Sequence, residues 1–472
     1  MSFITRRRAV DQRPAAQGEH ALQPTLRWPH LVALGVGAIV GTGIYTLTGV
    51  GAGLAGPGVI LSFAIAGLVC MLAALCYAEM ATLMPHAGSA YSYSYAGMGE
   101  LVAWVIGWSL ILEYTVVCSA VAVGWSGYAQ GFLEARGVVL PAALASGLLT
   151  GQEGGFINLP AVLITLAVAG VLLIGVRESA NANIALVVLK LAALAAFVIL
   201  ALPAFDPARF SPFLPFGFAA HTGPDGAPQG VMAAAALIFF AFYGFDAIST
   251  AAEEAKNPGR DLTLGIIGSM VACAVIYMAV AAAALGASPW QDFSKSDEPL
   301  AFILRSGGHE LAAVLIAAAA VIALPTVIMA FMFGQSRVFF AMARDGLLPR
   351  SLAQVSARGA PVRVTLFTAI LASVIAGAAP LKLIAELANA GTLAAFVAVL
   401  VCMMILRVKA PELKRVFKTP IWPVVGVFGV VGCLYLFTTL PNTAIIGFFV
   451  WNAIGVVVYL LYGRRKSALA GT

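Results

Sequence analysis

Long apolar runs alternate with short polar stretches along most of this chain. A helix rising about 1.5 Å per residue needs about 20 apolar residues to cross a hydrocarbon layer. Twelve runs approach that length, with soft edges: 30–50, 57–82, 98–133, 159–176, 181–203, 230–252, 263–287, 311–343, 362–379, 383–406, 421–439 and 442–463. Their apolar positions are continuous rather than alternating, so the pattern predicts helices and not barrel strands. The third and eighth are long enough to tilt or to extend beyond a bilayer. The expected fold class is an all-α integral membrane protein with 12 transmembrane helices.

Two runs interrupt themselves. "VGAIVGTGIYTLTG" (36–49) carries Gly37, Gly41, Gly43 and Gly49, with Thr42 between two of them. Five runs later, "IFFAFYGFDAIST" (238–250) carries a lone Gly244 close to Asp246. Glycine weakens a helix. One such cluster is equally a packing surface, and Gly37 and Gly41 have the small-xxx-small spacing of helix contacts. The matched pair says more. An odd offset of five spans gives two halves of opposite topology, and interrupted helices at corresponding positions of inverted halves point to a transporter site.

Composition agrees with the pattern: of 472 residues, 61% are hydrophobic and 10% charged, where soluble domains carry about 25% charged residues. The first thirty or so residues are polar and basic, which predicts a cytoplasmic tail rather than a secretory signal. With that end inside, the outer segments hold only Arg136, Arg209, Lys295, Arg305 and Lys382. Nearly all other Lys and Arg fall on inner segments, as cytoplasmic loops require. Both termini are therefore expected in the cytoplasm, in the cell (plasma or inner) membrane. The net charge of +6 reflects this topology. No basic stripe with interleaved aromatics suggests nucleic acid. Cys70, Cys76, Cys118, Cys273, Cys402 and Cys433 lie in apolar runs without metal-site spacing. His20, His30, His86, His221 and His309 lie outside spans or at their ends. No HExxH or Walker motif occurs, so no cofactor, metal, enzymatic activity or ATP-driven pumping is read. A passive channel needs a selectivity ring, and inverted repeats argue against one.

Five pieces carry a resemblance: "GVGAIVGTGIYTLTG" (35–49), "CYAEMATLMPHAGSAYSYSYAGMGE" (76–100), "GWSLILEY" (107–114), "FFAFYGFDAISTAAEEAKNP" (239–258) and "GQSRVFFAMARDGLLP" (334–349). With them the chain resembles the amino acid–polyamine–organocation superfamily of transporters, and within it the bacterial members of the cationic amino acid transporter branch. The resemblance implies a five-plus-five inverted-repeat fold. A tail (1–28) would precede a first repeat (29–203) and a second (230–406), followed by two extra C-terminal helices (407–463) and a tail (464–472). It implies amino acid transport by alternating access, proton-coupled or sodium-independent. Small neutral amino acids are the expected substrates; a cationic amino acid or polyamine carrier or exchanger is the alternative. The partners expected are an amino acid, protons and the lipid bilayer; a small accessory membrane subunit is not readable from the sequence.

A zwitterion at bilayer depth needs partial charges, because full charges there are costly. If the first span unwinds at Gly41–Gly43, the amides beyond the break suit a carboxylate, Thr42 adds a hydroxyl, and carbonyls at Ala38 and Ile39 suit an ammonium. The sixth span offers carbonyls at Phe240 and Tyr243 around Gly244. The resemblance makes Phe240 the gate over the substrate and Leu324 the residue that limits pocket size. Pro325 stands where the resemblance implies a threonine.

Three ionisable residues lie deep in spans. Lys190, in "VVLKLAALAAFV", is about 15 Å from the nearer helix end at 1.5 Å per residue, too far to snorkel, which suits a proton carrier or a paired structural lysine. By resemblance, a lysine on the fifth span fills the place of a sodium ion. Glu113 is expected to pair with Lys190 or relay protons, and Asp246 to cap a half-helix or shuttle a proton. Glu79 and Glu386 lie near span ends, where solvation is expected. Glu253, Glu254, Lys256 and Arg260 are expected to form an inner-surface cluster.

Overall fold

Proline marks several helix starts, where its missing N–H costs nothing and its fixed φ is already helical. Pro29, Pro258, Pro299 and Pro423 each occupy the first turn of a helix. The computed structural model describes residues 6–10, 26–86, 88–174, 180–224, 226–252, 255–353 and 362–469. Most of the expected N-terminal tail lies outside them, as do Glu253 and Glu254.

The chain runs through α1 (Trp28–Ile39), α2 (Thr42–Tyr45), α3 (Leu47–Ala55), α4 (Val59–Leu83), α5 (Ser89–Gly97), α6 (Glu100–Glu134) and α7 (Ala142–Ala145). It continues with α8 (Leu159–Ile174), α9 (Ala180–Ala201), α10 (Val231–Ile238), α11 (Phe245–Thr250), α12 (Pro258–Ala287), α13 (Trp290–Phe293) and α14 (Pro299–Ser306). Then come α15 (Glu310–Ala323), α16 (Pro325–Arg344), α17 (Val362–Ala378), α18 (Leu381–Lys409), α19 (Trp422–Thr438), α20 (Asn442–Val458) and α21 (Arg464–Lys466). A short antiparallel hairpin, His221–Thr222 with Pro228–Gln229, is the only sheet among the described residues. Among the described residues, eight helical stretches are long and apolar enough to cross a membrane, and four shorter apolar helices accompany them.

Burial sorts these helices. Every residue from Val231 to Thr250 is buried. In contrast, α19 and α20 leave Val427, Phe428, Phe449 and Val457 more than half exposed, the pattern of a helix whose outer face meets lipid. Indoles hold α20 to α6. Trp108 Nε1 donates to the Trp451 carbonyl at 2.9 Å, Trp451 Nε1 donates back to the Trp108 carbonyl at 2.8 Å, and the two rings stack.

Glu79 corrects an expectation. It is 1% exposed rather than solvated. Arg407 and Arg415 lie 2.7 and 3.0 Å from its Oε1, and the Thr419 N–H donates to Oε2 at 2.8 Å. Both arginines lie more than 300 residues away in sequence, so local position could not reveal them. Glu386 is also buried, at 6% exposed. Residues 6–10 strap across one end of the bundle: Arg6 pairs with Glu100 at 3.6 Å and Arg8 with Asp345 at 3.5 Å. Burial pushes the Asp345 carboxyl above its ordinary range, while Arg8 and the Tyr91 hydroxyl draw it back.

Candidate functional site

The first helix stops because Val40 and Gly41 turn extended, with φ/ψ of −73°/93° and −145°/−150°. The break is narrower than the glycines suggest, since Thr42 and Gly43 are already helical in α2. The second interruption is longer. After α10 the chain tightens into a 3-10 turn at Phe239–Ala241, and Gly244 takes φ +116° before α11 begins. Only glycine reaches that left-handed region without strain.

The two breaks meet. A Cβ added at Gly43 would overlap the backbone and side chain of Ala241, and one at Gly244 would lie 3.0 Å from the Ala38 carbonyl carbon. Each break thus sets a glycine against the other's backbone. Between them lies a small cavity lined by Ala38, Ile39, Gly41, Thr42, Gly43, Phe240 and Tyr243, closed by Val117 and Val121 of α6 and Val327 and Phe331 of α16. The centre of a water-sized sphere can move within about 10 Å³ there, room for about one water. Gly244 and Leu324 are not among the lining residues. Leu324 is fully buried, at the junction of α15 and α16.

Two polar groups on these walls lack partners. Thr42 Oγ1 and the Tyr243 hydroxyl are buried without a hydrogen bond among the described residues. A native site rarely leaves such groups unmatched. The Thr42 and Gly43 amides precede the first bonds of α2, which run from the Ile44 and Tyr45 N–H groups to the Gly41 carbonyl at 3.2 and 3.3 Å. Of the carbonyls expected to be free, that of Ile39 already accepts from the Tyr277 hydroxyl at 2.7 Å.

The charges sit just outside. Lys190 of α9 is fully buried. Its Nζ donates to the Gly37 carbonyl at 2.9 Å, in the last turn of α1, and to Thr326 Oγ1 of α16 at 2.8 Å. A cation there also meets the negative end of the α1 dipole. Asp246 lies in the first turn of α11. Its Oδ1 accepts the Gly244 N–H at 3.0 Å and its Oδ2 accepts the Tyr114 hydroxyl at 2.8 Å. Glu113 does not reach Lys190. It is 1% exposed, packs against Gly391 of α18, and neither carboxyl oxygen has a hydrogen-bond partner among the described residues. The expected Glu113–Lys190 pair therefore does not form, because α6 turns Glu113 toward α18 while α9 aims Lys190 at α1 and α16.

Val117, Val121, Val327 and Phe331 escaped the sequence reading. On an apolar helix a valine facing a cavity looks like one facing lipid. The available signal was spacing: each pair is four residues apart, on one helix face.

The profile of a family described as amino acid permease matches residues 26–462. The branched-chain amino acid permease BcaP of Bacillus subtilis (strain 168) is 43% identical over 471 residues, covering 99% of each chain. The methylthioribose transporter of the same organism is 41% identical over 471 residues, covering 99% of this chain and all of that one. Cationic amino acid transporter 2, vacuolar, of Arabidopsis thaliana is 39% identical over 422 residues, 87% of this chain and 64% of that one.

Proposed function

Because this chain belongs to the amino acid permease family, and is thus a multi-pass membrane transporter rather than an enzyme, we propose that it carries small neutral amino acids, with aliphatic side chains favoured, by proton-coupled alternating access. The observation that carries this reading is that Thr42 and Tyr243, two of the residues lining the cavity between the broken helices, each bury a hydroxyl that has no partner among the described residues.

The substrate carboxylate takes the amides at the start of α2 and the Thr42 hydroxyl; the ammonium takes the carbonyls at Ala38 and Phe240. The side chain lies against Val117, Val121 and Val327, a wall without charge. That wall favours an aliphatic side chain over a cationic one, since an ammonium or guanidinium would lose its water there without a partner. A cavity with room for about one water must widen to admit any amino acid, so binding is coupled to movement of the walls, with Phe240 as the covering ring. Lys190 ties α1 to α16 when protonated and releases them when neutral. A proton arriving from outside then biases one access state. Glu113, buried in α6 against α18, is the second proton-carrying candidate; Asp246, engaged at both oxygens, serves chiefly to hold the second break.

This reading assumes twelve spans, two inverted repeats of five (29–203 and 230–406) with two further helices, and cytoplasmic termini in the cell membrane. The clustering of Lys and Arg on one set of loops supports the orientation. The test is uptake into proteoliposomes of labelled leucine, isoleucine, valine, alanine, arginine and lysine, with unlabelled methylthioribose as competitor, with and without an inward proton gradient. Gradient-stimulated uptake of the aliphatic amino acids is expected. Preferred uptake of arginine or lysine, or complete block by methylthioribose without amino acid uptake, overturns the substrate assignment. Uptake indifferent to the gradient overturns the coupling.

A further inference from the structure

Pro325 has no N–H, so the carbonyl four residues earlier, at Val321, loses its helical donor. The chain nevertheless stays helical through the junction, with Leu324 at φ −60° and ψ −35°. The missing bond is supplied from another helix: Trp125 Nε1 of α6 donates to the Val321 carbonyl at 2.8 Å. From this geometry we infer that Trp125 is a positioning residue for the transport site, holding the α15–α16 kink at Pro325 at the angle that sets the cavity wall. The inference rests on reading the cavity between the two breaks as the substrate site.

The two residues after Pro325 make the angle matter. The first, Thr326, accepts from Lys190 and donates to the Ala323 carbonyl at 2.6 Å. The second, Val327, donates its N–H to the Leu324 carbonyl at 2.9 Å, a tight turn. The Val327 side chain lines the cavity and lies 3.3 Å from where a Cβ on Gly41 would be. Within two residues of the kink the chain therefore presents both the partner of Lys190 and the wall against the first break. On the other side, Trp125 lies one helical turn beyond Val121 and two beyond Val117, both cavity-lining. One face of α6 thus shapes the cavity and fixes the opposite wall. Further along, α6 and α16 are joined again, by Gln335 Nε2 donating to Thr115 Oγ1 at 2.9 Å and to the Ile111 carbonyl at 3.2 Å. The lower part of α16 is held there, so slack at the kink falls on Thr326 and Val327.

The chemistry gives a double-mutant cycle. Trp125→Phe keeps an aromatic ring and removes the N–H. Pro325→Ala returns an N–H to the Val321 carbonyl, which then no longer needs the indole. KM and maximal rate for uptake of leucine are measured for wild type, both single variants and the double variant, with the melting temperature and its shift on adding leucine. Trp125→Phe alone is expected to raise KM about tenfold, the equivalent of about 1.4 kcal/mol, with a smaller change in maximal rate. In the Pro325→Ala background the same substitution is expected to change KM by less than about twofold. An equal KM penalty in both backgrounds, or none in either, overturns the inference, since a ring that only fills space costs the same with or without the proline. If Trp125→Phe does not accumulate as folded protein, the double variant decides: recovery of a cooperative melt and of leucine-induced stabilisation supports the inference, and failure to recover overturns it. If Pro325→Ala lacks uptake, the leucine-induced shift is compared across the cycle under the same criterion. Absence of leucine uptake and binding in the wild type is a different result, and removes the substrate reading itself.

Discussion

Opposite charges serve the two broken helices, and they do so by different routes. At the first break the charge is imported: Lys190 comes from α9 and joins the last turn of α1 to Thr326 of α16. At the second it is resident: Asp246 belongs to the helix it caps and accepts from Gly244, two residues away. A resident charge fixes local geometry and moves with its helix. An imported charge links separate elements, and its loss lets them part. The comparison separates a group suited to coupling from one suited to architecture, although both are buried ionisable residues beside the same cavity.

The most damaging change should ignore charge and block the meeting of the breaks. Gly43→Val places a branched side chain where even a Cβ would overlap Ala241. Leucine-induced thermal stabilisation should disappear, and wild-type stabilisation would show that the breaks do not form the binding site. Next comes the imported charge. Lys190→Ala should lose the acid-stimulated part of uptake while keeping measurable substrate binding. Normal gradient-driven uptake in that variant would make Lys190 a structural strut and move attention to Glu113.

The resident charge should matter less for coupling than for stability. Asp246→Asn keeps an acceptor for the Gly244 N–H and should retain gradient stimulation. Asp246→Ala strands that N–H and the Tyr114 hydroxyl, each costing about 1–3 kcal/mol, and should lower the melting temperature clearly below that of Asp246→Asn. Loss of gradient stimulation in Asp246→Asn, with an unchanged melt, would erase the distinction between the two breaks. The smallest effects concern the wall. Val327→Ala should relax the first break and admit longer side chains in competition uptake, whereas Leu324→Ser, which changes a residue outside the cavity lining, should leave the selectivity profile nearly unchanged.

How far these features could be read from residues alone depended on their range. Apolar helices were legible because a span writes its length directly into the sequence. The interruptions were legible because Gly41, Gly43 and Gly244 break a helical pattern locally. Their extent was not: Thr42 and Gly43 are helical, since the chain needs only Val40 and Gly41 to redirect itself. Partners distant in sequence were not legible either. Nothing near Glu79 announces Arg407 and Arg415, and nothing near Glu113 shows that it faces Gly391 rather than Lys190. Pro325 was visible as a departure from the resemblance, but its consequence depended on Trp125, two hundred residues earlier.

The small size of the cavity has a consequence for leakage. Protons cross membranes through files of hydrogen-bonded waters, and a space for about one water cannot hold a file. With Val117, Val121, Val327 and Phe331 around it, the cavity between the breaks holds no such file. Proteoliposomes bearing the protein, without substrate, should dissipate a proton gradient no faster than protein-free vesicles, and any conductance should appear only when substrate is added.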